Sequence, residues 1–442
     1  MLNPKASFEF SAKNEILQVT KVKAFSILRS QVSVFDTHEQ NLPCARLLYV
    51  IKQFFSAIII LFCPLNKLNM VAVMKNLYKL PILLIISFIF VSCYPSRQLT
   101  GKRNPGVKNV ILLIGDGMGV ATVYAAMSAS QAPLNFERFP VSGLQITYSA
   151  NAYITDSGAA GTALASGTKT RNGAIGVDEN GNPVYSVLAR AEEHGLATGV
   201  VATSSVTHAT PASFIAHQSS RGSYEDIASD FLKTDVDVFI GGGYDHFARR
   251  ADKRNLIDSL KSRGYDVVTD LQGIMGSDSR KLAGLTYPGQ PPYRLKGRGD
   301  MLPSSTARAL EILSRNKKGF FLMIEGSQID WAAHANVADT LIDETLDFDK
   351  AVGLALDFAE KDRHTLVIVT ADHETGGVTI TGGDLKTHEV TLSFSTKNHT
   401  AVMVPVFAYG PGAMNFSGVY DNTELSKKIL SAFRFSDSKK KK

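Results

Sequence analysis

From Val107 onward the chain alternates short, continuously apolar runs with longer amphipathic stretches, and few folds can absorb that pattern. The runs Val107–Ile114, Ala197–Ala202, Val236–Ile240, Gly319–Ile324, Thr365–Thr370 and Val402–Tyr409 lack the polar alternation of a half-exposed strand and read as strands buried on both faces. Tyr185–His194, Asp226–Leu232, Thr306–Arg315, Thr340–Glu360 and Asn422–Phe433 carry helical periodicity and supply the covers such strands need. The expected fold is α/β: a three-layer α/β/α sandwich with a central, mostly parallel β-sheet over residues 107–436. No tandem repeat is visible. Thr269–Arg298, rich in Gly and Pro with weak periodicity, reads as a surface excursion.

Charge excludes one class of function. The chain carries 47 Lys+Arg against 41 Asp+Glu, but residues 1–92 hold 10 and 4 of these, leaving 37 against 37 from Cys93 onward. Four of those lysines sit in the terminal run Lys439–Lys442, in a polar tail over 437–442. The body therefore has no basic excess with which to grip a phosphate backbone, and nucleic-acid binding is not expected. Of the three cysteines, Cys44, Cys63 and Cys93, only the last can belong to the body, so no disulfide framework and no Cys-rich zinc site can form there.

The N-terminal part reads as an address. Residues 74–93 run from Met74 through Lys75 and Lys79 and an apolar core to Val91-Ser92-Cys93, the layout of an export signal. The segment resembles a bacterial lipoprotein signal, which implies an exported protein, periplasmic or anchored in the outer membrane through a lipid on Cys93; an uncleaved membrane anchor is the alternative. Residues 1–73 read as a doubtful extension, with translation starting at Met1, Met70 or Met74, and 94–106 as a polar tether. Cys93-Tyr94-Pro95-Ser96-Arg97 fits the C-x-P-x-R pattern of sulfatases, but the pattern is short, and here the first strand bearing a metal-type aspartate follows the Cys instead of preceding it.

In a parallel sheet, ligands bind beyond the carboxyl ends of the strands, and the unusual residues fall there. Val110–Ile114 runs into Gly115-Asp116-Gly117-Met118-Gly119; Asp116 would repel a pyrophosphate, so a dinucleotide loop is excluded and a metal carboxylate fits better. Phe320–Ile324 runs into Glu325, followed by Asp330 and His334, which at four residues apart share one face of a helical turn. Leu366–Thr370 ends in Ala371-Asp372-His373, and Lys397-Asn398-His399 precedes another strand. Carboxylates gathered at one rim repel one another, and divalent cations resolve the repulsion. Asp and His ligands without Cys suit Zn2+, and an all-oxygen subset suits Mg2+. His194, His217, His246, His364 and His388 read as ordinary surface or core histidines.

Thr155-Asp156-Ser157-Gly158-Ala159-Ala160-Gly161-Thr162 is a run of small residues that could start a helix capped by Asp156 or Ser157. It could equally place a Ser157 hydroxyl and helix-end amides against a phosphate. With Glu325…Asp330…His334 and Thr370-Ala371-Asp372-His373, this run makes the chain resemble the alkaline phosphatases from about Val107 to Gly410. The resemblance implies a Ser157 nucleophile and two zinc ions, one on Asp330, His334 and His399, the other on Asp372, His373 and Asp116. It also implies one magnesium on Asp116, Thr210 and Glu325, Arg221 as a bidentate phosphate clamp, a broad range of small-molecule phosphate monoesters as substrates, and a homodimer. His208 stands where the best-known bacterial members have Asp, and Trp331 where they have Lys; His208 is expected behind the magnesium ligands and Trp331 along the phosphate pocket, with Asp156 beside the nucleophile. Competing readings are a phosphodiesterase or sulfatase of the same superfamily, and a non-catalytic, lipid-anchored binder of phosphate or metal.

Overall fold

The computed structural model describes residues 106–435; the leader, the signal segment with Cys93, nearly all of the tether and the lysine tail lie outside the described residues. Fourteen strands are formed by the described residues: β1 Asn109–Gly115, β2 Val141–Ile146, β3 Ala197–Ser205, β4 Val238–Gly242, β5 Asp266–Val268, β6 Leu282–Leu285, β7 Phe320–Gly326, β8 Thr365–Thr370, β9 Glu374–Thr375, β10 Val378–Asp384, β11 Glu389–Phe394, β12 His399–Thr400, β13 Val404–Tyr409 and β14 Gly418–Asp421. Ten make one sheet in the order β14-β2-β13-β8-β1-β7-β3-β4-β6-β5. From β8 to β5 every pairing is parallel. β13 alone runs against its neighbours β8 and β2, and β14 is parallel to β2.

The continuous apolar runs become the buried centre of the sheet because side chains alternate faces along a strand. In β1, Val110, Leu112 and Ile114 pack into one hydrophobic layer with Leu164, Leu425 and Ile429 from helices on that side. Ile111 and Leu113 pack into the other, with Leu310, Val352 and Leu356. Two helix layers on one sheet make the expected sandwich. The 25-residue helix Ala338–Asp362 is the main cover of the second face.

One expectation fails. Thr269–Arg298 is not a surface excursion: it holds the helix Leu271–Gly276 and β6, whose four residues are all buried within the sheet between β4 and β5. A four-residue strand, Leu-Ala-Gly-Leu, is too short to reveal a period, and its flanking Gly and Pro residues read as loop. The same segment ends in Arg298, whose fully buried guanidinium bonds Glu344 at 2.6 Å and Asp347 at 2.9 Å.

The reversal of β13 matters for function. Entering at its amino end, the chain passes the rim where β1, β7 and β8 finish. His399, five residues ahead of Val404, is thereby delivered to the residues that follow the parallel strands.

Candidate active site

The rim of the central strands carries the site. Asp116 follows β1, Glu325 lies at the end of β7, and Asp372 and His373 follow β8; all four are fully buried. The helix Gln328–Ala335 starts just after β7 and places Asp330 and His334 one turn apart. It closes on Asn336 at φ 56, a left-handed cap that Asn tolerates. Ser157 is the first residue of the helix Ser157–Ser166; Asp156 is its N-cap, accepting from the Ala159 amide at 2.9 Å. Gly158, Ala159, Ala160 and Gly161 give that helix its close packing: a Cβ on Gly158 would stand 2.9 Å from the Ala174 carbonyl and one on Gly161 2.9 Å from the Ser213 hydroxyl.

Three groups of donor atoms converge: Asp330, His334 and His399; Asp116, Asp372 and His373; and Asp116, Glu325 and His208. In the first, His334 Nε2 stands 3.1 Å from His399 Nε2 and 3.4 Å from Asp330 Oδ1, with His399 Nε2 3.6 Å from the same oxygen. In the second, His373 Nε2 stands 3.2 Å from Asp372 Oδ2, 3.5 Å from Asp116 Oδ1 and 3.2 Å from Ser157 Oγ. Ligand atoms held about 2.0–2.2 Å from a tetrahedral ion lie about 3.3–3.6 Å apart. Both groups fit such an ion, and the second includes the serine.

The imidazoles are set for that purpose by their far nitrogens. His334 Nδ1–H donates to the Lys397 carbonyl and His399 Nδ1–H to the Thr155 carbonyl, which leaves Nε2 of each with a free lone pair. His373 Nδ1–H reaches Thr375 Oγ1 at 3.2 Å, and the Thr375 hydroxyl donates to Asp330 Oδ1 at 2.5 Å. Thr375 thus joins the two groups.

Electrostatics mark the same place. Burial, with the charges of Asp372, Asp330 and Glu325, pushes the Asp116 carboxyl up. Burial and neighbouring charge hold Glu325 at about 7 and Asp372 at about 6. Burial opposes ionisation of Asp330 too, but the His334 hydrogen bond and the surrounding imidazoles keep it well below the usual carboxylate range. Both Asp116 oxygens, Asp372 Oδ2, Glu325 Oε1, Thr210 Oγ1 and His208 Nδ1 are buried without a hydrogen-bond partner. Unpaired buried oxygens of this kind are costly unless a cation faces them.

Arg221 is tied to the residue that precedes the serine. Its Nη1 donates to Asp156 Oδ2 at 2.9 Å and its Nη2 to His208 Nε2 at 3.3 Å. Burial and the adjacent guanidinium lower His208 to about 3, so this ring is neutral. His208 also falls in one group with Asp116 and Glu325, their donor atoms within 4.8 Å of one another. Trp331 meets its ring edge-on at 5.7 Å. The five histidines read as ordinary each make a hydrogen bond, to Arg190 O, Gly176 O, Thr207 Oγ1, Gly106 O and Ser128 O, and none joins a metal-type group.

Comparison with known proteins agrees with this geometry. The family model described as "Alkaline phosphatase" matches residues 107–394 and 386–435. The chain belongs to the alkaline phosphatase family. It is 36% identical to alkaline phosphatase 3 of Bacillus subtilis over 74% of this chain and 89% of the relative, and 34% identical to the Escherichia coli alkaline phosphatase over 75% and 88%. The alkaline phosphatase of the Antarctic bacterium TAB5 superposes with a TM-score of 0.72 at 42% identity, covering 76% of this chain and all of that one. A histidine-to-aspartate variant of that enzyme was solved with Mg bound in its M3 site. Family membership makes this chain a metal-dependent hydrolase of phosphate monoesters.

The sequence reading overlooked the residues that hold the ligands in place. Thr375 is one; Ser204 and Ser327 are others, with Ser327 Oγ donating to Ser204 Oγ at 3.0 Å and Ser204 Oγ to Glu325 Oε2 at 3.3 Å. Short hydroxyl side chains in strands or at a helix start give no period or spacing that would have singled them out.

Proposed function

We propose that the chain hydrolyses phosphate monoesters through a phosphoserine on Ser157, at a centre that takes two zinc ions and one magnesium. Asp330, His334 and His399 would hold one zinc, Asp116, Asp372 and His373 the other, and Asp116, Glu325 and Thr210, with His208 alongside, the magnesium. Bound there, the cations would lower the pKa of the serine hydroxyl and of a water and neutralise charge on the phosphoryl group. Ser157 Oγ attacks phosphorus in line, the bond to the leaving alcohol breaks, and a phosphoserine forms; water then attacks that phosphorus, releasing phosphate and restoring Ser157. Arg221, already oriented by Asp156, offers two parallel N–H groups to the phosphate oxygens, and the first amides of the Ser157–Ser166 helix face the same anion. Little in this set reads the leaving group, which supports a broad range of monoesters.

The carrying observation is Ser157 Oγ at 3.2 Å from His373 Nε2, inside a buried carboxylate–imidazole group. Metal analysis of purified protein alongside p-nitrophenyl phosphate hydrolysis tests it. Two zincs per chain, loss of activity in EDTA, recovery with zinc plus magnesium, and an acid-trapped phosphoserine absent from Ser157→Ala are expected. Full turnover by Ser157→Ala would refute the mechanism, and faster cleavage of a diester or aryl sulfate than of the monoester would favour the superfamily alternatives.

Two further features belong to this reading. The chain works as a homodimer: Ile146, Tyr148, Tyr153, Ile154, Val402 and Met403 are exposed apolar residues close in sequence or strand register, a clustering that a partner surface would cover. Light scattering reports the mass. The protein is exported and anchored through a lipid on Cys93, a reading that rests on the signal-like segment before it; among the described residues no helix is long and apolar enough to cross a membrane. Mass spectrometry of the native N-terminus tests it, with an unmodified Cys93 as the contrary result.

A further inference from the structure

The six side chains of the two zinc groups are not equally well supported. Asp116, Asp372 and His373 sit at the ends of fully buried strands, and Asp330 and His334 lie on one helix. His399 comes from a strap: residues 401–403 on one side of it are exposed, and so are most of 395–398 on the other. The regular structure around it is β12, two residues paired antiparallel with β9, His399 opposite Thr375 and Thr400 opposite Glu374. A ladder that short does not fix an imidazole by itself.

Glu374 supplies what the ladder lacks. It is 96% buried, following the metal-type His373, yet it turns away from every metal-type group. One carboxylate oxygen, Oε2, accepts from the Thr400 hydroxyl and from the Gly377 amide at 3.2 Å; the other accepts from the Val378 amide at 3.0 Å. The carboxylate thus ties three points together: the turn after His373, the start of β10, and the residue next to His399. The fit extends to its stem, since a Cβ on Gly119 would stand 2.4 Å from Glu374 Cγ. Glycine there leaves the channel the side chain needs, at φ −72, where any residue could otherwise sit.

We propose that Glu374 is a positioning residue for the first zinc site, holding His399 at ligand distance through Thr400 and thereby setting how slowly that zinc is lost. Glu374 touches neither substrate nor metal in this assignment. The inference rests on the two-zinc reading above and deepens it. Loss of a partner that orients a metal ligand typically weakens metal binding by about 10- to 100-fold, and one acting through the adjacent residue falls near the lower end, about 10-fold.

The test uses the full-length holoenzyme and times zinc release to excess EDTA by elemental analysis of the retained protein, with a thermal melt of each loaded sample. Thr400→Val removes the hydroxyl but leaves both backbone bonds to Glu374, so the fold does not depend on it. Release of one of the two zincs should quicken about 10-fold in Thr400→Val and at least as much in Glu374→Ala. The other zinc should keep its wild-type rate, and Thr400→Ser should restore the slow phase. Two zincs per chain released at wild-type rates from both Thr400→Val and Glu374→Ala, whatever happens to the melting temperature, would overturn the inference and leave Glu374 a structural prop. Wild-type protein that holds no zinc would instead refute the metal reading, and this inference with it.

Discussion

In the metal-stripped protein, Glu325 and Asp372 should contribute stability that fades as the pH rises, the reverse of the usual direction for carboxylates. Glu325 and Asp372 have ordinary values of 4.5 and 3.8 and stand at about 7 and about 6 in the folded chain, chiefly because they are buried. Each tenfold change in acidity is worth 1.36 kcal/mol, so ionising either inside the stripped fold costs about 3 kcal/mol more than ionising it unfolded. Because the two charges act on each other, the joint cost lies between about 3 and 6 kcal/mol. Both native values are raised, so the native state keeps protons that the unfolded chain has released. The stabilisation is complete below the ordinary carboxylate values and is lost as pH climbs from about 4.5 through about 7. Between pH 5 and pH 8 the part lost is about 2.5 kcal/mol for Glu325 and about 1.4 kcal/mol for Asp372, since the rest has gone by pH 5; with an unfolding entropy of about 2.1 cal/mol/K for each of some 330 ordered residues, Glu325 alone is worth about 4 °C in Tm. Because the buried, neutral His208 adds stability over the same range, circular-dichroism melts of EDTA-stripped wild type and Glu325→Gln are compared at each pH, and their difference reads Glu325. The neutral amide should exceed wild type by about 1 kcal/mol at pH 5 and by about 3 kcal/mol at pH 8. A Glu325→Gln whose advantage over stripped wild type does not grow from pH 5 to pH 8 would refute the claim that burial keeps this carboxyl protonated when the metals are gone.

Three further outcomes follow from named contacts. Arg221→Ala removes charged hydrogen bonds to phosphate worth about 1.5–3 kcal/mol, so kcat/KM on p-nitrophenyl phosphate should fall about 10- to 100-fold and the inhibition constant of inorganic phosphate should rise in step; Arg221→Lys, with charge but no fork, should recover only part. Asp156→Ala loses the helix cap at the Ala159 amide and the brace on Arg221, so a melt should show about 1 kcal/mol of lost stability and phosphate should inhibit less strongly. Gly119→Ala crowds the Glu374 stem and should cost about 1–3 kcal/mol; combining it with Glu374→Ala should cost less than the two losses added, read as a coupling in a double-mutant cycle of melting free energies.

The parts of this molecule that were legible in the sequence are those where one physical demand acts on several neighbouring residues. β1, β7 and β8 are buried on both faces, so each announces itself as an unbroken apolar run, and the ligands at their ends stand out because a buried Asp or His there answers to nothing but chemistry. A helical turn carrying Asp330 and His334 was legible from their four-residue step, though not the extent of the helix Gln328–Ala335. β2, β5, β6 and β14 were not: they are short, lie towards the edges of the sheet, and draw their stability from register with neighbours far along the chain. Burial of β6 depends on β4 and β5 flanking it, a relation that no local window contains. His399 was legible as a candidate, but the reason it arrives was not, because the reversal of β13 is a property of the whole sheet. Thr375, Glu374 and Ser204 were invisible for a different reason. Their work is to orient other side chains, and a hydroxyl or a carboxylate in that role has no required spacing.

The uneven support of the ligands also divides the labour of the reaction. Asp372 and His373, which stand beside Ser157, are inaccessible to solvent, with side chains 0% exposed; a nucleophile held there keeps its aim because nothing around it can relax, and a dry surrounding strengthens every charge that acts on phosphorus. His334 is 36% and His399 15% exposed, so the group they form opens to water. If Ser157 attacks in line as proposed, the leaving alcohol departs on the side away from the serine and the water of the second step arrives there, and such traffic needs a side that opens to water. A rigid, buried half and an accessible half are therefore what a two-step transfer to and from one serine needs. The accessible half has to be steadied without being closed, and carbonyls and hydroxyls just beneath the surface do that where a second buried strand would have sealed the exit.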